Sequence, residues 1–409
     1  LEFQGKTIWC ISKYAIPPKY GAQGRLFYLS KFFNKQGNKS YVITCSESHL
    51  INLPPQEKTI RKSVEYESET IFIKGLKFKN SLSKKRILSW FVFEWRLFRF
   101  ILQYKKHITK PDVIIVSSMS ILTIINGIIA KWKFNCKLIF EIRDIWPLSA
   151  IQIMGYSKYN PFIILLRMIE IYGYTKADYV TSTLENAVLH IQNSVKKKIK
   201  FKYIPQGYDP ENFAQVEELP IGYLENNIPK NKFIITYIGN IVAAYDLESL
   251  IDCAGKIAQI DKSIHFIVLG DGTHKKKLIE YAGNLSNLSF LPRIKKSQLP
   301  FFLEKSDVVT NFLKNEPLFK FGVSPQKIID YMYASKPILM SFSGYKTVVE
   351  VANCGIVAPS GDLEKICDAI LYLKKLDPSE LKKLGKNGKD YLENNLNWEN
   401  ISHEYSTLF

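Results

Sequence analysis

The stretch Phe321–Pro337 reads FGVSPQKIIDYMYASKP and sets a hydroxyl, a proline, an ammonium and a carboxylate within one short run. Ser324 followed by Pro325 marks a helix start, with the serine as N-cap and the proline at the first helical position. The preceding Gly322 and Val323 can turn backbone N–H groups toward an anion, and a helix N-terminus favours that anion electrostatically. Lys327, in the first turn, adds a positive charge. Asp330 follows three residues later on the same helix face, where a carboxylate can accept from a vicinal diol. Phosphate at the helix tip and ribose one turn along make a nucleoside-diphosphate geometry. The same residues also make an ordinary capped helix with a Lys–Asp pair, so the segment needs support from elsewhere.

Other polar groups stand at the ends of apolar runs. Tyr237-Ile238-Gly239-Asn240 closes the strand-like FIITYIG, and Phe290-Leu291-Pro292-Arg293-Ile294 closes another strand with an arginine. Glu141-Ile142-Arg143-Asp144 follows KLIFE, and Gly21–Arg25 follows the first apolar run, Thr7–Ser12. Charges directly after a buried strand are costly unless solvated in a cleft or paired with one another. Short apolar runs alternating with helical periodicity place all these loops at the carboxyl edges of parallel sheets, where ligands bind. The alternation occurs in two series. The expected organisation is one α/β domain over residues 6–212, a second over 213–390, and a C-terminal helix in 391–409 that packs back on the first.

Charge divides the chain unevenly. Net charge is +18 over 409 residues; residues 1–210 hold 33 basic and 14 acidic side chains, and the remainder is near neutral. Such a first half attracts an anionic membrane or a polyanion, or it carries many solvated lysines. No base-stacking motif or groove helix accompanies the charge, which argues against nucleic acid. In the insert Ser81–His107, Trp90, Phe91 and Trp95 are interleaved with lysine and arginine. That pattern fits an element lying in a membrane interface, or equally a core helix with snorkelling ends. The uncharged run Val113–Ala130 contains serines, a threonine, an asparagine and a glycine. It reads as a buried strand, a turn and a buried helix. Six cysteines without a CxxC pair read as buried free thiols of a reducing cytoplasm.

Seven segments in order resemble one family: KYAIPPKYGAQGR, FEIRDIWPLSAI, YIPQGYDPENF, YIGN, LGDG, FLPRIKKSQLP and GVSPQKIIDYMYASKPIL. The chain resembles the family-4 glycosyltransferases, especially the bacterial O-antigen, capsule and colanic-acid branch with its fucosamine-transferase-like members. The resemblance implies a GT-B fold, two Rossmann-like doubly wound domains facing a central cleft. The first domain would bind the acceptor and the second the nucleotide sugar. It implies donor contacts from Gly239, Asn240, Arg293, Ile294, Gly322, Val323, Ser324, Lys327 and Asp330, with Gly21 and Arg25 approaching the diphosphate from the first domain. Lys327, Arg293, Asp144 and Arg143 would act in catalysis. Glu141, Arg143 and Asp144 would form the acceptor side, and Trp90, Phe91 and Trp95 the membrane contact.

The expected activity is retaining transfer from a nucleotide-diphosphate sugar, UDP favoured, to a polyprenyl-diphosphate-linked glycan at the cytoplasmic face of an anionic inner membrane. The nucleotide sugar is a co-substrate, and neither a cofactor nor a metal is expected, since no DxD-type motif stands at a suitable strand end. Two departures from the family stand out. Gly322 occupies the place of the usual first acid, with Glu316 as its substitute, and Asn240–Tyr245 lacks the usual cations. A GT-B nucleotide-sugar 2-epimerase and a non-catalytic nucleotide-sugar or lipid-binding partner are the competing readings. None of the six histidines lies in a donor motif, which disfavours the epimerase.

Overall fold

Apolar, β-branched runs pair as strands wherever both faces are covered by helices, and the chain does this twice. The computed structural model describes residues 4–20, 24–48, 53–77, 84–118, 120–212 and 216–409. They divide into two units: the chain through Gly207 together with Trp398–Phe409, and Tyr208–Asn397. The division falls slightly before the expected boundary at residue 212.

The first unit is built on β1 (Thr7–Ile11), β2 (Lys39–Cys45), β3 (Ile60–Glu65), β4 (Ser68–Ile73), β5 (Val113–Ser117), β6 (Lys137–Ile142), β7 (Tyr179–Ser182) and β8 (Phe201–Tyr203). Their order is β3-β4-β2-β1-β5-β6-β7-β8. All neighbours are parallel except the β3–β4 hairpin. The uncharged run after residue 112 becomes β5 and the helix Thr123–Phe134. No described helix is long and apolar enough to cross a membrane. The last helix, Trp398–Ser406, packs in the core of this unit. Trp398 stacks on Tyr28 at 5.2 Å, and Tyr405 and Phe409 meet Phe33 edge-on.

The second unit contains β9 (Phe233–Asn240), β10 (Ile264–Asp271), β11 (Leu288–Leu291), β12 (Val308–Phe312), β13 (Ile338–Ser341) and β14 (Gly355–Ala358). They form one parallel sheet in the order β11-β10-β9-β12-β13-β14. Alternate residues serve opposite faces: Ile234, Ile238 and Val309 join the core under the helix Gln326–Tyr333, while Ile235, Tyr237 and Val308 join the other. The strand order reverses between β9 and β12. Outward from that point the chain winds to β10 and β11 on one side and to β13 and β14 on the other. A crevice opens beyond such a reversal, at the carboxyl ends of the strands.

Candidate nucleotide-sugar site

Beyond the last β9–β12 pair, Tyr237↔Thr310, a lysine from a neighbouring helix meets the end of β9. The Lys327 side chain reaches from the helix Gln326–Tyr333 to the end of β9, donating from Nζ to the Tyr237 hydroxyl at 2.9 Å. That hydroxyl in turn donates to the Asn240 carbonyl at 2.8 Å. Nζ lies 3.6 Å from the centroid of the Tyr245 ring and 4.1 Å from that of Tyr237. An isolated antiparallel bridge pairs the backbone of Tyr245 with that of Leu313. Gly239 leaves room for the ammonium: an added Cβ would sit 3.0 Å from Nζ, and φ of 149° already favours glycine.

This arrangement holds a cation without a counter-charge. Among the described residues no carboxylate pairs with Lys327, and burial lowers its pKa to about 7. The two rings offer negative π-faces, which partly compensates a desolvated ammonium. The basic residues missing from Asn240–Tyr245 therefore have a spatial substitute: the Lys327 ammonium lies over Gly239.

The helix start differs from expectation by one residue. Pro325 takes the N-cap position, with φ −75° and ψ 120°, and no side chain caps the helix. Ser324 lies outside the helix, so its hydroxyl is not the cap. Gly322 is not a free donor either, because its N–H bonds the Phe319 carbonyl at 3.0 Å. Among the described residues, the N–H groups of Val323, Ser324, Gln326 and Lys327 have no protein acceptor. Those four donors and the Lys327 ammonium stand within five residues of one helix start, the composition of an anion site.

Asp330 does not pair with Lys327. Its carboxylate lies 3.2 Å from Lys296 Nζ, on the turn after β11, and burial raises its pKa against the pull of Lys296. That contact brings the β11 loop to the helix. Within this loop Ile294 packs on the core, whereas Arg293 is exposed. Glu316 sits ahead of the turn Pro317–Phe321, without a side-chain partner among the described residues. The residues missed by sequence reasoning are Tyr237 and Tyr245 as the walls around Lys327, and Lys296 as the partner of Asp330. Tyr237 stands in the YIGN segment, but its contact with Lys327 spans 90 residues of chain.

The first unit corrects several expectations. Arg25 is no diphosphate ligand, since it is buried and bonded from Nε to Glu141 Oε2 at 2.7 Å. Its remaining nitrogens donate to the Ile204 and Pro205 carbonyls. Glu141 is likewise no acceptor contact: it is fully buried and also accepts from the Tyr405 hydroxyl. Burial opposes its charge, yet Arg25 and Arg143 hold its carboxyl below the usual range. Arg25, Glu141 and Tyr405 together lock the C-terminal helix to the sheet. Asp144 spends both oxygens on its own loop, accepting from Trp146 Nε1 at 2.9 Å and from the Ser149 hydroxyl. Burial lowers the Arg143 pKa against the opposing pull of Glu141. Gly21 lies outside the described residues.

The insert forms the helix Lys84–Leu102, and its expected membrane aromatics divide. Trp90 is a core residue at 5% exposure, donating to the Tyr14 hydroxyl at 2.6 Å and packing on Phe162 and Trp146. Phe91 and Trp95 are exposed. The helix has two apolar faces because its sequence places aromatics on more than one side, and only one of these can meet the sheet.

The two units are Rossmann-like and the fold is GT-B, as in structurally similar glycosyltransferases. Residues 224–391, within the second unit, match the family described as Glycosyl transferases group 1. Among curated relatives, an uncharacterized glycosyltransferase of Methanocaldococcus jannaschii is 26% identical over 242 residues, covering 56% of this chain and 55% of that protein. The putative colanic acid biosynthesis glycosyl transferase WcaI of Escherichia coli is 25% identical over 182 residues, covering 42% and 44%. The chain thus spans about half the length of each. Among solved structures, sucrose-phosphate synthase from Thermosynechococcus elongatus superposes with a TM-score of 0.72 at 17% identity, covering 98% of both chains. HepE from Anabaena, solved with UDP-glucose, gives 0.64 at 14% identity, also over 98% of both.

Proposed function

We propose that this protein is a retaining glycosyltransferase that takes a sugar from a nucleoside-diphosphate donor held at the β9–β12 reversal of the second unit. The observation that carries the reading is the Lys327 ammonium, desolvated and without a counter-anion among the described residues, beside four unsatisfied N–H groups. A diphosphate supplies the missing negative charge and the acceptors. Asp330 would receive the ribose diol, and the loop Arg293-Ile294 would frame the base. UDP is the favoured nucleotide; HepE, of similar fold, was solved with UDP-glucose. The proposed acceptor is a lipid-linked bacterial surface glycan at the cytoplasmic face of an anionic membrane; the likeness to WcaI, a putative colanic acid biosynthesis glycosyl transferase, supports a glycan acceptor.

In this mechanism the acceptor hydroxyl attacks from the face the diphosphate leaves, and a diphosphate oxygen takes the proton. The protein contributes position and charge: Lys327 and the N–H groups stabilise the leaving anion as charge grows on it. No metal enters the proposed step. A thermal-shift and calorimetric series of nucleotide sugars tests the reading. The donor raises Tm and binds wild type at least tenfold more tightly than Lys327→Met; equal affinity for both proteins would refute the assignment of the site.

A further inference from the structure

Three helices lie side by side on one face of the first unit's sheet: Lys84–Leu102, Thr123–Phe134 and Pro161–Lys176. Glu94 on the first bonds Thr123 and Asn126 on the second at 2.6 and 2.7 Å. Gly173 on the third leaves room for Ile124 of the second, whose Cγ1 would lie 2.9 Å from an added Cβ. The inner surface of this layer is therefore tightly joined.

Its outer surface is apolar. On Pro161–Lys176 the residues Ile164, Leu165, Met168 and Tyr172 are exposed, Met168 at 63%. Their spacing traces one helix face. Trp132 on the neighbouring helix is 60% exposed and Trp95 on the next is 62%. A soluble surface rarely gathers such groups on adjacent helices unless a partner covers them.

The charges on the same helices sort by sign. Their acids are Glu94 and Glu170 alone, and both turn inward: Glu94 to the neighbouring helix, Glu170 to His190 at 2.7 Å and Tyr174 at 2.8 Å. Lys85, Arg99, Lys133, Arg167 and Lys176 are exposed. A surface of aromatic and aliphatic side chains studded only with cations complements an anionic lipid bilayer. It opposes a second copy of itself, because a symmetric dimer through this face would bring cations against cations.

We infer that the outer face of this three-helix layer is the surface by which the protein docks on anionic lipid. The inference rests on the membrane partner of the proposed function and names the surface that meets it. It extends well beyond the insert helix, whose Trp90 is unavailable. The test is flotation with vesicles of phosphatidylglycerol and phosphatidylcholine in equal parts, beside vesicles of phosphatidylcholine alone. We expect wild type to float with the anionic vesicles, with salt weakening but not abolishing the association. Trp132→Ser with Leu165→Ser and Met168→Ser changes only exposed side chains. It should keep the circular dichroism spectrum and donor affinity while lowering the vesicle partition coefficient at least tenfold. Lys133→Glu with Arg167→Glu should weaken binding only where anionic lipid is present. If wild type fails to float, the membrane partner itself falls, whereas donor binding by the second unit stands untouched. If wild type floats and the folded triple variant floats equally, this surface is refuted while the membrane partner survives. A wild-type dimer that the triple variant converts to monomer would overturn the inference in favour of self-association.

Discussion

In the proposed site, Lys327 should make donor affinity a function of pH. Burial lowers its pKa to about 7, so in the free protein it is roughly nine-tenths charged at pH 6 and one-tenth charged at pH 8. A bound diphosphate restores the charged form across this range. Raising pH from 6 to 8 should therefore weaken binding about tenfold, or about 1.4 kcal/mol. The neighbours do not blur the window: burial raises the Tyr237 and Tyr245 hydroxyls above their ordinary range, and Asp330 faces Lys296. Calorimetry with a nucleotide sugar, repeated in buffers of different ionisation enthalpy, reads both affinity and proton uptake. At pH 7.5 binding should take up about 0.75 proton. Lys327→Met should bind weakly at every pH with no uptake from this site. The free protein carries the opposite signature. Its unfolded chain holds more protons than the folded one between about pH 7 and 10.4, so this lysine makes stability rise with pH across that interval. Below pH 7 both states are protonated and the desolvation cost is fully present. A wild-type affinity that stays flat from pH 6 to 8, or a Lys327→Met variant with the same slope as wild type, would refute the reasoning.

Other perturbations probe the remaining contacts. Tyr237→Phe removes the hydroxyl that accepts from Lys327 and should weaken donor binding by about 0.5–1.5 kcal/mol in titration, with the fold intact by circular dichroism. Gly239→Ala places a methyl against the ammonium at an unfavourable φ; a cost of about 1–3 kcal/mol in stability and a loss of donor affinity should appear together in thermal melts and titration. Asp330→Ala should cost about 1–3 kcal/mol in nucleotide affinity and erase the preference for a ribose over a deoxyribose donor, measured by competition. Arg25→Ala leaves Glu141 buried without its main partner and should destabilise the protein by about 3–5 kcal/mol in denaturant melts. Nucleotide affinity in the still-folded population should stay unchanged, since the proposed donor residues of the Lys327 site all lie in the second unit.

Local patterns carried much of this protein's description. Apolar runs bounded by turns placed the central strands of both sheets, because a strand buried on both faces writes its identity into consecutive residues. The same locality made Gly239, Lys327 and Asp330 readable as candidates, since strand ends and helix starts are short-range features. It failed for β3, whose IRKSVE mixes charges into an edge strand, and for β14, a four-residue GIVA without a distinguishing pattern. It also set the helix start one residue early, since a Ser-Pro pair does not specify which residue leaves the extended region.

Whether a charged group faces solvent, a ligand or another charge was decided only by the tertiary structure. Arg25 and Glu141 stand 116 residues apart, and Tyr405 lies 264 beyond Glu141. Read separately, each looks like a cleft residue at a strand end or a helix start; folded, they satisfy one another and close the core. Lys327 shows the reverse outcome. Helix spacing offers Asp330 as a partner, but the two side chains go to different neighbours, Asp330 to Lys296 and Lys327 to aromatic rings, with no carboxylate on the lysine among the described residues. Trp90 and Trp95 lie on one helix and part in the same way, one into the core and one to the surface. Composition counts charges and aromatics, but burial and pairing depend on which distant segments meet, and electrostatic and packing energies follow distance in space.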